Sequence, residues 1–205
     1  IEPERRLITV MFVDIRDFTR LSESTDPSEL FRVLTEALDA FAIAVQREGG
    51  IVNKFLGDGL MAIFGAPEPQ QDHARRAVRA SLVIAEAARI RREDGRFPKL
   101  NIGVGIHTGY AIVGDIGGTR REYTAIGDVV NVAARVEAAN KAMGTTILIT
   151  DPVREAVGAD ADVRPAGPVK LRGRVAEVEI FELRAMRSAG SPSDTWQVQK
   201  SGTLG

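Results

Sequence analysis

The spacing of hydrophobic and polar positions changes several times along the chain, and each change marks an element. Leu7–Val13 (LITVMFV) is a nearly continuous apolar run ending on Asp14, the pattern of a strand buried on both faces. Leu30, Leu34, Ala37, Leu38, Phe41, Ala44 and Val45 then recur at helical spacing, which predicts an amphipathic helix. Asp26 as N-cap, Pro27 at the first helical position and Glu29 in the first turn sign its start, and Gly49-Gly50 its end. Ile51–Leu56 and Leu60–Phe64 flank Gly57-Asp58-Gly59, which predicts a tight hairpin. Alternation along the first of these strands puts Val52, Lys54 and Leu56 on one face. A second amphipathic helix is expected over 72–92, with Ala74, Ala77, Val78, Ser81 and Leu82 among its inward positions.

In the strand Asn101–His107, Ile102, Val104 and Ile106 share one face, while Gly103 and Gly105 leave the other bare for close approach. Tyr110–Val113 is expected to return as its hairpin partner, and a polar Gly-rich loop, Gly114–Glu122, to lead to a third helix over Asp128–Lys141. Thr145–Ile149 reads as a strand, Asp151-Pro152 as the start of a short helix, and Val169–Leu171 with Val178–Leu183 as a closing pair of strands. The order β-α-β-β-α-β with a further αβ unit predicts an α+β fold, a ferredoxin-like sandwich spanning residues 1–186. Beyond Met186 the chain turns to Ser, Gly, Pro and Thr, with Trp196 as the one large apolar anchor. Residues 187–205 therefore read as a tail or linker.

Composition narrows the chemistry. Lys+Arg 27 against Asp+Glu 28 leaves a net charge of −1, which argues against a general nucleic-acid or anionic-membrane binder. With no Cys, disulfides, thiolate zinc sites and Cys nucleophiles are excluded. Two His, His73 and His107, have no partner nearby in sequence and read as structural. No apolar run approaches the roughly 20 residues of a membrane span, so no membrane contact is expected from this segment. The chain begins with Ile1, so it reads as a piece of a longer protein, fused to a regulatory domain outside these residues. A cytoplasmic domain is expected, compatible with a membrane anchor elsewhere in the full-length protein.

Carboxylates, hydroxyls, amides, Lys and Arg must then carry the chemistry. Asp14 closes a buried strand, where open sheets tend to bind ligands, and Asp58 sits at a hairpin tip between two Gly. Side by side, the two carboxylates would suit a hard cation such as Mg²⁺ bridging to phosphates. Each taken singly is an ordinary turn residue. Lys54 and Asp58 are four residues apart, roughly 13 Å in an extended strand, so they are expected to serve different sites. Asn131 and Arg135 share one face of the third helix amid apolar neighbours, a pairing suited to a phosphate undergoing substitution; a solvated polar stripe is the plain alternative. Thr124 can donate and accept, so it could read a base edge. Lys170 with Arg172, and Arg120 with Arg121, are basic pairs suited to a triphosphate. Asp17 is expected to supply helix-start charge.

The segments FVDIRDFT (Phe12–Thr19), KFLGDG (Lys54–Gly59) and YTAIGDVVNVAAR (Tyr123–Arg135) together resemble the class III nucleotidyl cyclase catalytic domain, from about Arg6 to Leu183. The resemblance implies that Asp14 and Asp58 hold two Mg²⁺ (or Mn²⁺) ions, with the Ile15 carbonyl joining one. It makes Lys54 and its partner position, Thr124, the readers of adenine. Thr stands there in place of the more usual Asp, as in a subgroup with some bicarbonate-responsive members. Asn131 and Arg135 match the pair that orients the ribose and stabilises the transition state, and Phe18 and Thr19 lie where backbone N–H groups meet the phosphates. Lys170 matches a triphosphate-binding Lys, and Arg120 matches a further phosphate-binding Arg only approximately. Two copies pack head to tail in this family, so a homodimer with two shared sites is implied. The expected reaction is conversion of ATP to 3′,5′-cyclic AMP and pyrophosphate. Two alternatives stay open: a guanylyl cyclase, against which Lys54 argues, and a silent module for dimerisation or nucleotide sensing, against which retention of Asp14, Asp58, Asn131 and Arg135 argues.

Overall fold

In a computed structural model, residues 2–171 and 176–187 are described. Arg172, most of the expected tail and Trp196 lie outside the described residues. Strand β1 (Glu4–Ile15) is central, pairing antiparallel with β3 (Gly59–Phe64) on one side and β4 (Ile102–Ile116) on the other. The edge strand β2 (Ile51–Phe55) pairs with β3, giving the ferredoxin-like order β2-β3-β1-β4. The sheet continues through β6 (Ile147–Thr150), parallel to β4, then β8 (Glu177–Met186) and β7 (Ala161–Lys170). No helix among the described residues is long and apolar enough to cross a membrane.

Alternation along β1 sorts the layers. Met11, Val13 and Ile15 enter the main core with α2 (Pro27–Arg47), α3 (His73–Glu93) and α5 (Asp151–Val157). Ile8 and Val10 instead join a second core with α4 (Asp128–Met143) and Ala125 of β5 (Glu122–Ile126). By the same period of two, Asp14 belongs to the α4 face. The start of α2 is as expected: the Asp26 carboxylate accepts from the backbone N–H groups of Ser28 and Glu29, at 3.1 Å each.

Three expectations are corrected. Tyr110–Val113 is not a hairpin partner of Asn101–His107, because β4 runs unbroken for 15 residues and pairs with β1 along almost its whole length. The polar stretch Gly114–Glu122 is not all loop: Gly114–Ile116 belong to β4, and β5 starts at Glu122 and pairs with the last five residues of β4. Strict alternation over Val52, Lys54 and Leu56 fails, because the β2–β3 register jumps from Val52↔Ala62 to Lys54↔Met61 and leaves Asn53 as a bulged residue. Asp17 stands, as expected, at the start of a short helix, α1 (Phe18–Ser24), in a left-handed conformation and with no side-chain cap bond. Local turn chemistry and tertiary pairing decided these points, and neither is encoded in hydrophobic period.

The bare face at Gly103 and Gly105 is used, and by α4. A Cβ on Gly105 would overlap the Glu137 backbone nitrogen and stand 2.6 Å from its Cα and 2.7 Å from the Ala133 carbonyl oxygen. Asn140, fully buried on the same helix, donates to the Val104 carbonyl at 2.9 Å and accepts from the Thr145 hydroxyl at 2.8 Å. Helix and strand are therefore joined backbone to backbone.

Candidate active site

Asp14 and Asp58 are brought together by the end of β1 and the β2–β3 turn. Asp14 is in register with Gly59, where a side chain would overlap the Val13 carbonyl oxygen, so only Gly lets the turn lie this close. The Ile15 N–H donates to the Asp58 carbonyl at 2.9 Å and fixes the turn against the strand. A cavity of about 430 Å³ opens there, lined by Asp14, Ile15, Asp17, Phe18, Thr19, Arg20, Glu23, Asp58 and Lys141. The sequence-predicted Asp14, Ile15, Phe18, Thr19 and Asp58 thus share one space.

Burial pushes the Asp14 carboxyl up to about 6, helped by the Asp58 carboxylate beside it and the hydrogen bond between them, with Arg16 opposing. Glu137 is pushed up to about 7, first by burial and then by Asp14, against the pull of Arg16. Its Oε1 lies 2.5 Å from where a Cβ on Gly103 would be, and Gly103 is the β4 partner of Asp14. Sequence reasoning missed Glu137. Its signal was present: a carboxylate on the helix face that buries Val129, Val132, Ala133, Val136 and Asn140. Glu137 does not line the cavity, and no three metal-ligating side chains converge among the described residues. The site is a pair of hard oxygen donors whose repulsion Arg16 relieves only in part, and that donor chemistry fits a divalent cation.

Asn131 and Arg135 line a different cavity, of about 330 Å³, with Asp128, Val132, Ala134 and Leu171. Lys170 is exposed at the end of β7, next to Leu171. Arg120 is exposed in the turn between β4 and β5 and lines neither cavity. Lys54 is exposed on the bulged strand. Thr124, half-buried on β5, donates from its hydroxyl to Asn53 Oδ1 at 3.4 Å, a contact to the residue that precedes Lys54 on β2. His73 and His107 are held in buried hydrogen bonds, His73 Nδ1 with Thr9 Oγ1 and His107 Nδ1 with Thr150 Oγ1, at 2.7 Å each.

Residues 2–185 match the sequence profile of the family described as "Adenylate and Guanylate cyclase catalytic domain". Adenylate cyclase 1 of Rhizobium meliloti is 37% identical over 183 residues, covering 87% of this chain and 28% of the relative. The adenylate cyclase of Anabaena cylindrica is 33% identical over 192 residues, covering 88% of this chain and 37% of the relative. The chain therefore spans well under half the length of these relatives. Among solved structures, the guanylyl cyclase Cya2 superposes with a TM-score of 0.84 at 32% identity, over 92% of this chain and 97% of that one. The adenylyl cyclase CyaB from P. aeruginosa does so with a TM-score of 0.83 at 32% identity, over 91% and 98%.

Proposed function

The chain belongs to the adenylate and guanylate cyclase catalytic domain family, and from that membership we propose that it is an adenylyl cyclase, converting ATP to 3′,5′-cyclic AMP and pyrophosphate at sites shared between two copies. One observation carries the reading. The carboxylate pair and the Asn131–Arg135 pair are both present, yet they line separate cavities of one chain. A single copy offers two half-sites, and a two-fold dimer would bring unlike halves together twice.

Asp14, Asp58 and the Ile15 carbonyl would hold the two Mg²⁺ or Mn²⁺ ions. When bound, such ions neutralise the triphosphate and make the ribose 3′-hydroxyl more acidic. The first-turn N–H groups of Phe18 and Thr19 meet phosphate oxygens. From the partner copy, Asn131 orients the ribose and Arg135 neutralises the charge that builds on the α-phosphoryl group as the 3′-oxygen attacks in line and pyrophosphate leaves. Lys170 adds charge for the triphosphate.

Similarity of fold does not choose the base, since Cya2 and CyaB superpose equally well. Lys54 and Thr124 favour adenine: an ammonium only donates, and a hydroxyl can accept from the exocyclic amine. The purified chain, incubated with ATP or GTP and Mg²⁺ or Mn²⁺, should yield cyclic AMP from ATP and none in Asp58→Ala. Absence of any cyclic product at concentrations where the chain is dimeric would favour the silent regulatory module.

A further inference from the structure

Asn53 belongs to none of the motifs above, and its position is unusual. It is the bulged residue of β2, and bulges re-aim side chains and are common beside functional sites. Its Nδ2 donates to the Tyr123 carbonyl of β5 at 2.6 Å, while its Oδ1 accepts from the Thr124 hydroxyl at 3.4 Å. The orientation of this amide follows from its partners. A backbone carbonyl can only accept, so the NH₂ group must face Tyr123 and the oxygen must face Thr124.

That biases a proton: at 3.4 Å the contact is a long hydrogen bond that turns the Thr124 hydrogen toward Asn53. A threonine hydroxyl has one hydrogen and rotates to suit its surroundings. Free, Thr124 could accept from the amino group of adenine or donate to the 6-oxo group of guanine, and would not discriminate. With its hydrogen turned toward Asn53, it presents lone pairs to a base. Lys54, next to Asn53 in sequence, supplies a group that only donates. An acceptor at Thr124 together with a donor at Lys54 would match the N6 amine and N1 of adenine, whereas guanine sets an acceptor against the acceptor and a donor against the donor. Leaving polar groups unpaired in this way is a strong basis for rejection.

We propose that Asn53 is a specificity-determining positioning residue, which orients the Thr124 hydroxyl as an acceptor and so sets the preference for adenine over guanine nucleotides. The inference rests on Lys54 and Thr124 being the base readers of the proposed cyclase.

The test compares wild type, Asn53→Leu, Asn53→Asp, Thr124→Val and the Leu/Val double variant. Affinities for ATP and GTP are measured by equilibrium dialysis with Mg²⁺, alongside kcat/KM for each nucleotide, with thermal melts as folding controls. Asn53→Leu is expected to lower the ATP-to-GTP ratio about tenfold, the scale of about 1.4 kcal/mol. Thr124→Val should do the same, and the double variant should add nothing further. Asn53→Asp keeps the acceptor toward Thr124 but loses the donor toward Tyr123, so it should melt earlier yet hold the wild-type ratio. A wild type that binds both nucleotides equally, or an Asn53→Leu that weakens both by one factor, overturns the inference. So does an Asn53→Asp with the collapsed ratio. If ATP is preferred and the preference depends on Asn53 but no cyclic product forms, the catalytic reading fails while this one stands. If neither nucleotide binds, both fail.

Discussion

The carboxyl of Glu137 is held toward that of Asp14, in the space left by the missing side chain of Gly103. Neither group has a nearby cation strong enough to offset its burial, and Arg16 relieves the strain only partly. Burying the two carboxyls therefore carries an electrostatic penalty beside the place proposed for the metals.

This gives a pH dependence with a definite sign. Both folded values, about 6 for Asp14 and about 7 for Glu137, lie above the ordinary 3.8 and 4.5. Between those limits the native state binds more protons than the unfolded state, so the contribution of these groups to stability falls as pH rises from about 4 to about 7. In chelator, Glu137→Gln should melt higher than wild type at pH 8, with the gap closing toward pH 5. Added Mg²⁺ should narrow the gap at pH 8. A gap independent of pH would mean that Glu137 acts through packing alone.

Separate cavities for Asp14 and Arg135 predict complementation. Asp14→Ala and Arg135→Ala should each be inactive alone, and a mixture should recover activity through the one intact hybrid site of each mixed dimer. A mixture that stays inactive with heterodimers confirmed by mass would overturn the shared-site arrangement.

Gly105→Ala should be severely destabilising, since its Cβ would meet the α4 backbone at Glu137 and Ala133 rather than a side chain that can move away. Overpacking of this kind costs about 3 kcal/mol. For a chain of this size that lowers Tm by roughly 6–12 °C, readable by circular dichroism.

Asp26→Ala removes the acceptor for two N–H groups at the start of α2. The expected loss is about 1 kcal/mol with turnover per folded molecule unchanged, because Asp26 lines neither half-site. A loss of kcat without a change in Tm would contradict this.

Much of this was legible in the sequence, and the exceptions share a cause. The Asp26-Pro27 start, the stripe of α2 and the turn at Asp58 are local signals, and each emerged where expected. Asp14, Asp58, Asn131 and Arg135 stood out only through the motifs around them, since each Asp alone is an ordinary turn residue and the Asn–Arg pair a polar stripe. The unbroken β4, the strand β5 and the bulge at Asn53 depend on which strand lies alongside, and a chain read in one dimension does not contain that. Glu137 was overlooked because an acid on an apolar helix face has meaning only when the opposing strand is known to lack a side chain. Asn53 was passed over for the same reason, since its partners are 70 and 71 residues away.

The contact between α4 and the glycines of β4 has a mechanical consequence. Side chains between two elements act as a compressible layer, able to change rotamer and let one element slide on the other. Here no such layer exists at Gly105, and Asn140 bolts the helix to the strand a turn further on. The helix that carries Asn131 and Arg135 is thus packed directly on β4, which pairs in turn with β1. In the proposed two-copy arrangement, the coordinate left to adjust is therefore the angle between whole copies, and a change of activity there would come from turning one copy against the other, not from reshaping either.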